Sequence, residues 1–131
     1  MGSRVRFWGY QRNVASVYRQ LDYLMTGLPE KEALGLNVLE SQGAGTPVLA
    51  PRAPPFTETM VHGASGFLYR DPREDGGDEF ESLLTGVIEG RLKPDLNAAK
   101  AHLEAFSFDA MTKRVQAMLE HLARIGRTTA T

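Results

Sequence analysis

Four short apolar runs, separated by segments with helical spacing, constrain the fold of this chain more than any other feature of its sequence. Each run holds strand-forming side chains and then stops at a glycine, a proline or a charged residue, which is typical of a β-strand. The runs cover residues 5–9, 22–26, 47–50 and 66–69. Strands that alternate with helices favour parallel pairing, so the order predicts an α/β fold with a Rossmann-like parallel sheet of about four strands flanked by helices.

The segments between and after these runs carry helical patterns. Asn13 can cap a helix over the next residues, Thr57 can cap a short helix, and the charged loop at 71–78 leads to a helix at 79–90. Two apolar stripes follow at helical spacing: Leu96, Ala99, Leu103 and Phe106, then Met111, Val115, Met118, Leu122 and Ile125. We expect the chain to form one domain over residues 1–131, in which 91–131 form C-terminal helices that pack on the rest. Residues 1–3 are interpreted as a remnant of the expression vector.

Composition excludes several classes of function. The 131 residues include fifteen Lys plus Arg and sixteen Asp plus Glu, so a net charge of -1 gives no general attraction to nucleic acid. Cysteine is absent, which excludes thiol nucleophiles and thiolate metal sites. His62, His102 and His121 have no Asp or Glu at metal-ligand spacing, and Ser65 lies outside a nucleophile elbow. We therefore predict no metal, no cofactor and no nucleic-acid partner.

The densest group of polar and glycine residues follows the second predicted strand. Ligands of open parallel sheets bind beyond the carboxyl ends of the strands, so this is where a site is expected. If a helix begins near Gly35, the free amides of Gly35, Leu36 and Asn37 face an anion such as a phosphate. Glu40 can accept from the two hydroxyls of a ribose, and Glu32 can face a sugar. The same two glutamates also fit ordinary surface positions, and spacing alone leaves both interpretations open.

The order of motifs along the chain resembles the C-terminal, donor-binding domain of group 1 retaining glycosyltransferases of the GT-B fold. The matching segments are a strand and glycine at 5–9, Tyr-x-x-x-Asp at 18–22, Glu-x7-Glu at 32–40, Gly-Thr-Pro-Val at 45–48, a turn at 55–58, Gly-x-x-Gly-Phe-Leu at 63–68 and Phe-Ser-Phe-Asp at 106–109. The resemblance covers almost the whole chain.

The resemblance implies an activity and a set of site residues. A sugar would pass from a nucleotide-diphosphate donor to an acceptor hydroxyl with retention at the anomeric carbon. Glu32 would lie by the transferred sugar, Gly35, Leu36 and Asn37 would meet the sugar and diphosphate, and Glu40 would bind the ribose. The family's Gly-Gly loop is replaced by Pro54-Pro55, so a role for Glu58 transfers only weakly.

The resemblance also implies that this is part of a longer enzyme. The family's phosphate-binding cations and its acceptor domain would lie upstream, and the chain would supply strands 3 to 6 of the sheet. Residues 5–9 would then pair beside the second strand, or another copy of the chain would cover the open edge. We expect a cytoplasmic enzyme, at most peripheral to the inner membrane face, and an isolated chain without activity. A non-catalytic α/β binding or interaction module derived from this fold is the alternative.

Overall fold

A computed structural model describes residues 4–27 and 32–128. It contains one parallel sheet with the strand order β1-β2-β3. The strands are β1 (Leu24–Met25), β2 (Val48–Pro51) and β3 (Gly66–Tyr69). Leu24 pairs with Val48, and Val48 pairs with Gly66. The predicted α/β fold with helices around a parallel sheet is confirmed.

The described part of the chain also contains seven helices and one 3-10 turn. They are α1 (Val14–Tyr18), α2 (Leu36–Gly43), α3 (Phe56–Thr59), α4 (Pro72–Asp75), α5 (Asp78–Ile88), α6 (Leu96–Leu103), the 3-10 turn (Glu104–Phe106) and α7 (Phe108–Thr128). Asn13 caps α1 as predicted, because its side chain accepts from the Ser16 amide. α3 begins two residues earlier than expected, with Pro55 rather than Thr57 at its N-cap position, so Thr57 is not its cap.

The core is divided by the sheet into two clusters. On one face lie Val38, Val48, Ala50, Phe56, Met60 and Leu68. On the other face, Leu49, Phe67 and Tyr69 pack against α5. Every residue of β2 and β3 is buried, since helices cover both sides of these strands. Burial on both faces explains why these two strands are continuous apolar runs rather than alternating ones.

The prediction of a strand at residues 5–9 is wrong. These residues have no strand hydrogen bonds, and the Phe7 side chain is 94% exposed. A strand needs a neighbouring strand for its backbone groups, and no strand of the described chain lies beside this segment. The sheet therefore has three strands in the described residues instead of about four, and β1 is an open edge that residues 5–9 do not cover.

Two further segments differ from the sequence-based expectation. The loop predicted at 71–78 contains α4, because Asp71 caps it and Pro72 begins it. α6 lies against α2 with Ala99 buried, whereas α7 adjoins the 3-10 turn. The apolar stripe of α7 is about half exposed, so it does not pack on the core formed by the described residues. α7 follows α6 and adjoins the 3-10 turn rather than the sheet, so little apolar surface of the described residues lies within its reach.

The contact between β2 and β3 requires a glycine at position 66. Its φ is +134°, and a Cβ there would lie 1.9 Å from the Val48 carbonyl oxygen. We predict that Gly66→Ala lowers the free energy of unfolding by at least about 3 kcal/mol, because two paired strands would have to separate. Urea unfolding followed by circular dichroism measures the change.

Gly43→Ala is the matched control for this substitution. Gly43 lies in α2, and a Cβ there meets nothing within 4 Å. The control should raise stability by about 0.5–1 kcal/mol, since alanine favours the helix. Equal stability of the two variants would contradict the proposed role of Gly66.

Candidate functional site

The start of α2 lies at the carboxyl end of β1. Thr26 follows β1, and its Oγ1 accepts a hydrogen bond of 3.3 Å from Asn37 Nδ2 in the first turn of α2. This contact holds the amino end of the helix at the edge of the sheet where strands end. In open parallel sheets that edge is the usual place for a ligand.

Gly35 forms the entry to α2 and adopts a conformation that suits glycine. It is the N-cap residue with a φ of 74°, in the left-handed region. It is also buried, and a Cβ added there would lie 3.4 Å from the Phe56 ring. A side chain at this position would therefore be both strained and tightly packed.

Glu32 holds the loop that leads into α2 with its carboxylate. Its Oε1 accepts from the Ala33 amide at 3.1 Å and from the Gly35 amide at 3.0 Å. The expectation that the Gly35 amide is free is therefore wrong, because the preceding loop brings Glu32 back onto the helix end. The second carboxylate oxygen, Oε2, has no hydrogen-bond donor among the described residues.

Two amides at the start of α2 have no hydrogen-bond acceptor in the described part of the chain. No acceptor in residues 4–27 or 32–128 contacts the amides of Leu36 and Asn37. The Val38 amide, by contrast, donates to the Gly35 carbonyl and to Asn37 Oδ1. The first amides of a helix carry partial positive charge, so these two can bind an anion.

Glu40 lies farther along α2 and is exposed. Its Oε2 accepts a hydrogen bond of 3.4 Å from the hydroxyl of Tyr18, the last residue of α1. Burial, followed by the neighbouring Glu40 carboxylate, raises the pKa of the Tyr18 hydroxyl, which therefore stays protonated at neutral pH and donates. The Tyr-x-x-x-Asp segment by itself predicts no role for Tyr18, since only the fold brings α1 against α2.

The turn before β2 is hydrogen-bonded to both α1 and α2. The Thr46 hydroxyl donates to the Tyr18 carbonyl at 2.6 Å, and the Ser41 hydroxyl donates to the Thr46 carbonyl at 3.0 Å. Thr46 and Ser41 are both buried. Tyr18, Thr46, Ser41 and Glu40 thus form a closed ring of bonded residues around the junction of the two helices.

Charged residues at the carboxyl ends of β2 and β3 are engaged with one another. Arg52 donates to the Leu68 carbonyl and to Glu79, and the other oxygen of Glu79 accepts from the Arg70 amide at 2.6 Å. Arg73 holds the pKa of the Asp71 carboxyl down to about 2 through side-chain and backbone hydrogen bonds. These contacts join the strand ends to α4 and α5.

Two other classes of site are absent from the described residues. In the described ranges, no three His, Cys, Asp or Glu side chains are grouped so that they could hold a metal ion. His62 has a structural role, because its Nδ1 accepts from the Leu68 amide at 3.0 Å. Of the helices that the structure describes, none combines the length and the apolar character needed to span a membrane.

Comparison with protein families places the chain among enzymes that transfer sugars. The family model for glycosyl transferases group 1 matches residues 1–86. N-acetyl-alpha-D-glucosaminyl L-malate synthase of Bacillus anthracis is 42% identical over 65 residues, which are 50% of this chain and 17% of that protein. D-inositol 3-phosphate glycosyltransferase of Thermobispora bispora is 30% identical over 90% of this chain and 27% of its own length.

Solved structures share the fold. A crystal structure of Anabaena Alr3699/HepE in complex with UDP and glucose aligns with a TM-score of 0.71 and 21% identity, over 90% of this chain and 32% of that one. A second structure of the same protein, in complex with UDP-glucose, gives a TM-score of 0.67 over the same shares. The chain thus spans about a quarter of the T. bispora relative and about a third of these structures.

The hydrogen bond from Gly35 to Glu32 can be tested separately from any chemistry. We predict that Glu32→Ala lowers the free energy of unfolding by about 1 kcal/mol, because the partly buried Gly35 amide loses its acceptor. Glu32→Gln keeps an oxygen at Oε1 and should cost less than half as much. Thermal and urea unfolding of the two variants measure the difference. Equal losses would show that the carboxylate charge, rather than the hydrogen bond to Gly35, stabilises the helix end.

Proposed function

The chain belongs to the group 1 glycosyltransferases, and on that premise we propose that it forms part of the donor site of a nucleotide-sugar-dependent, retaining glycosyltransferase of the GT-B fold. The single observation that carries the proposal is the amino end of α2. There, the amides of Leu36 and Asn37 have no acceptor among the described residues and lie at the carboxyl edge of the sheet, with Glu32 before them and Glu40 after them in the chain.

The donor's parts match these groups in chemistry. The diphosphate of the donor binds the amides of Leu36 and Asn37, where the helix dipole favours negative charge. The Glu40 carboxylate accepts from the ribose hydroxyls. Glu32 holds the loop before the helix through Oε1 and presents Oε2 to the transferred sugar. Gly35, without a side chain, lets the donor approach the backbone. The UDP and UDP-glucose in the structural neighbours support this class of donor.

The reaction that follows is substitution at the anomeric carbon. The bond from that carbon to the diphosphate breaks, and the nucleoside diphosphate leaves with the electron pair. The acceptor oxygen forms the new bond on the same face and gives its proton to the departing diphosphate oxygen. Hydrogen bonds from the start of α2 stabilise the growing charge on the diphosphate, and the two glutamates hold ribose and sugar in place. Positioning and charge stabilisation therefore supply most of the rate.

We propose that the rest of the site comes from other parts of a longer polypeptide, including an acceptor domain and cations for the phosphates. The outer edge of β1 borders a groove of about 640 Å³. Met25 and Ile88 are largely exposed beside this groove. Strands from the same polypeptide, or the edge of a second copy, would cover it, because an open strand edge with apolar side chains favours pairing. The isolated chain is then expected to be inactive.

Nucleotide binding tests the donor site directly. We predict that the complete gene product containing this chain binds one of UDP, GDP or ADP in saturation-transfer NMR. Glu40→Ala should weaken that binding about tenfold, because the ribose loses a charged acceptor. Glu89→Ala is the matched control, since it removes an exposed carboxylate that pairs with Arg91 outside the site.

The alternative, a non-catalytic α/β binding or interaction module, predicts a different result for nucleotide binding. Absence of binding to all three nucleotides by the complete gene product would favour that module and remove the enzyme proposal. If the protein binds a nucleotide and Glu40→Ala leaves the affinity unchanged, the protein is a nucleotide-binding protein whose ribose site lies away from α2.

Turnover separates the roles of the two glutamates. Glu32→Gln should lower kcat by roughly 100-fold with little change in the donor KM, because it acts beside the reacting sugar. Glu40→Gln should raise the donor KM with a smaller effect on kcat. Steady-state kinetics of the complete gene product with its donor measure both. Normal kinetics in both variants would remove the assignment of these residues.

A further inference from the structure

We propose that Tyr18 is a positioning residue for the ribose contact: it holds the Glu40 carboxylate in the orientation that accepts the ribose hydroxyls. The inference rests on the proposed function, because it assumes that Glu40 binds a nucleotide ribose. It concerns a residue outside the helix that forms the donor site.

The first observation is that Tyr18 is fixed at both ends. It lies at the end of α1 and is only 8% exposed, yet its hydroxyl reaches Glu40 Oε2 on α2, 3.4 Å away. Its carbonyl accepts from the buried Thr46 hydroxyl at 2.6 Å. A phenol held in this way cannot follow Glu40 if that side chain rotates, so it defines one orientation of the carboxylate.

The second observation is that the ring of contacts closes through the backbone beside Glu40. Thr46 accepts from the hydroxyl of Ser41, the residue directly after Glu40, and Ser41 is completely buried. The backbone that carries Glu40 is therefore anchored to the same turn that anchors Tyr18. Movement of α1 relative to α2 would have to break at least one of these hydrogen bonds.

The chemistry of a phenol suits this role. Glu40 is exposed, and a free glutamate side chain samples many rotamers, which costs entropy when a ligand orders it. The Tyr18 hydroxyl offers one proton and no charge, so it orients Oε2 without neutralising the carboxylate. Glu40 Oε1 then stays available for one ribose hydroxyl, and the second lone pair of Oε2 for the other.

The experiment compares ribose with a sugar that lacks its hydroxyls. UDP, GDP and ADP are titrated into the complete gene product by calorimetry, followed by the 2′,3′-dideoxy form of the nucleotide that binds. Tyr18→Phe should lower affinity for the ribose form about three- to tenfold, the effect of one hydrogen bond to a charged group. It should leave affinity for the dideoxy form within twofold, because that ligand does not use Glu40.

Two controls separate positioning from general damage to the fold. Tyr69→Phe removes the hydroxyl of another buried tyrosine, in the core cluster on the α5 side of the sheet, and should change neither affinity. In a Glu40→Gln background, Tyr18→Phe should have a clearly smaller effect than in the wild type, since residues that act through one contact are not additive.

The outcomes distinguish this inference from the proposed function. If the wild-type protein binds none of the three nucleotides, the proposed function fails, and the inference fails with it. If the wild type binds and Tyr18→Phe has no effect, the inference alone is wrong. Equal losses for the ribose and dideoxy forms, or full additivity with Glu40→Gln, would also overturn it, because they show that Tyr18 only supports the fold.

Discussion

The close pairing of β2 with β3 is the constraint on which the rest of the structure depends. Gly66 lies directly against the Val48 backbone, and the four residue pairs from Val48 to Pro51 fix the register of the two strands. Both strands are buried on both faces, so a shift of one residue would exchange their two core clusters. Because the strands are parallel, the loops after β1 and β2 leave the sheet at the same edge. α2 begins at that edge.

The candidate site joins stability to chemistry at the same residues. Glu32 stabilises the start of α2 through the Gly35 amide and is also the group proposed to meet the transferred sugar. Gly35 holds a left-handed conformation beside Phe56 and leaves the helix end open to a ligand. Sites built in this way resist substitution for two reasons at once, so loss of activity in a variant has to be compared with loss of folding before a role is assigned.

Sequence reasoning succeeded where a local pattern and its burial agree. The bounds predicted for the strand at residues 66–69 are those of β3, because a short apolar run between a glycine turn and a charged loop is typical of a buried strand. The predicted helix start at Gly35 is correct within one residue, since glycine marks the cap. The run at residues 5–9 has an equally strand-like pattern but forms no strand, because pairing depends on a neighbour that its own residues do not specify.

The sequence by itself determined the class of fold, the position of α2 after β1 and the family, because periodicity and the order of motifs can be seen in the linear chain. Only the tertiary structure decided which groups of the site are free and which are engaged. It placed Glu32 on the Gly35 amide, and it brought the Tyr18 hydroxyl to Glu40 across 22 positions of sequence. Hydrogen bonds between distant elements follow from how helices pack on the sheet, and no spacing along the chain encodes them.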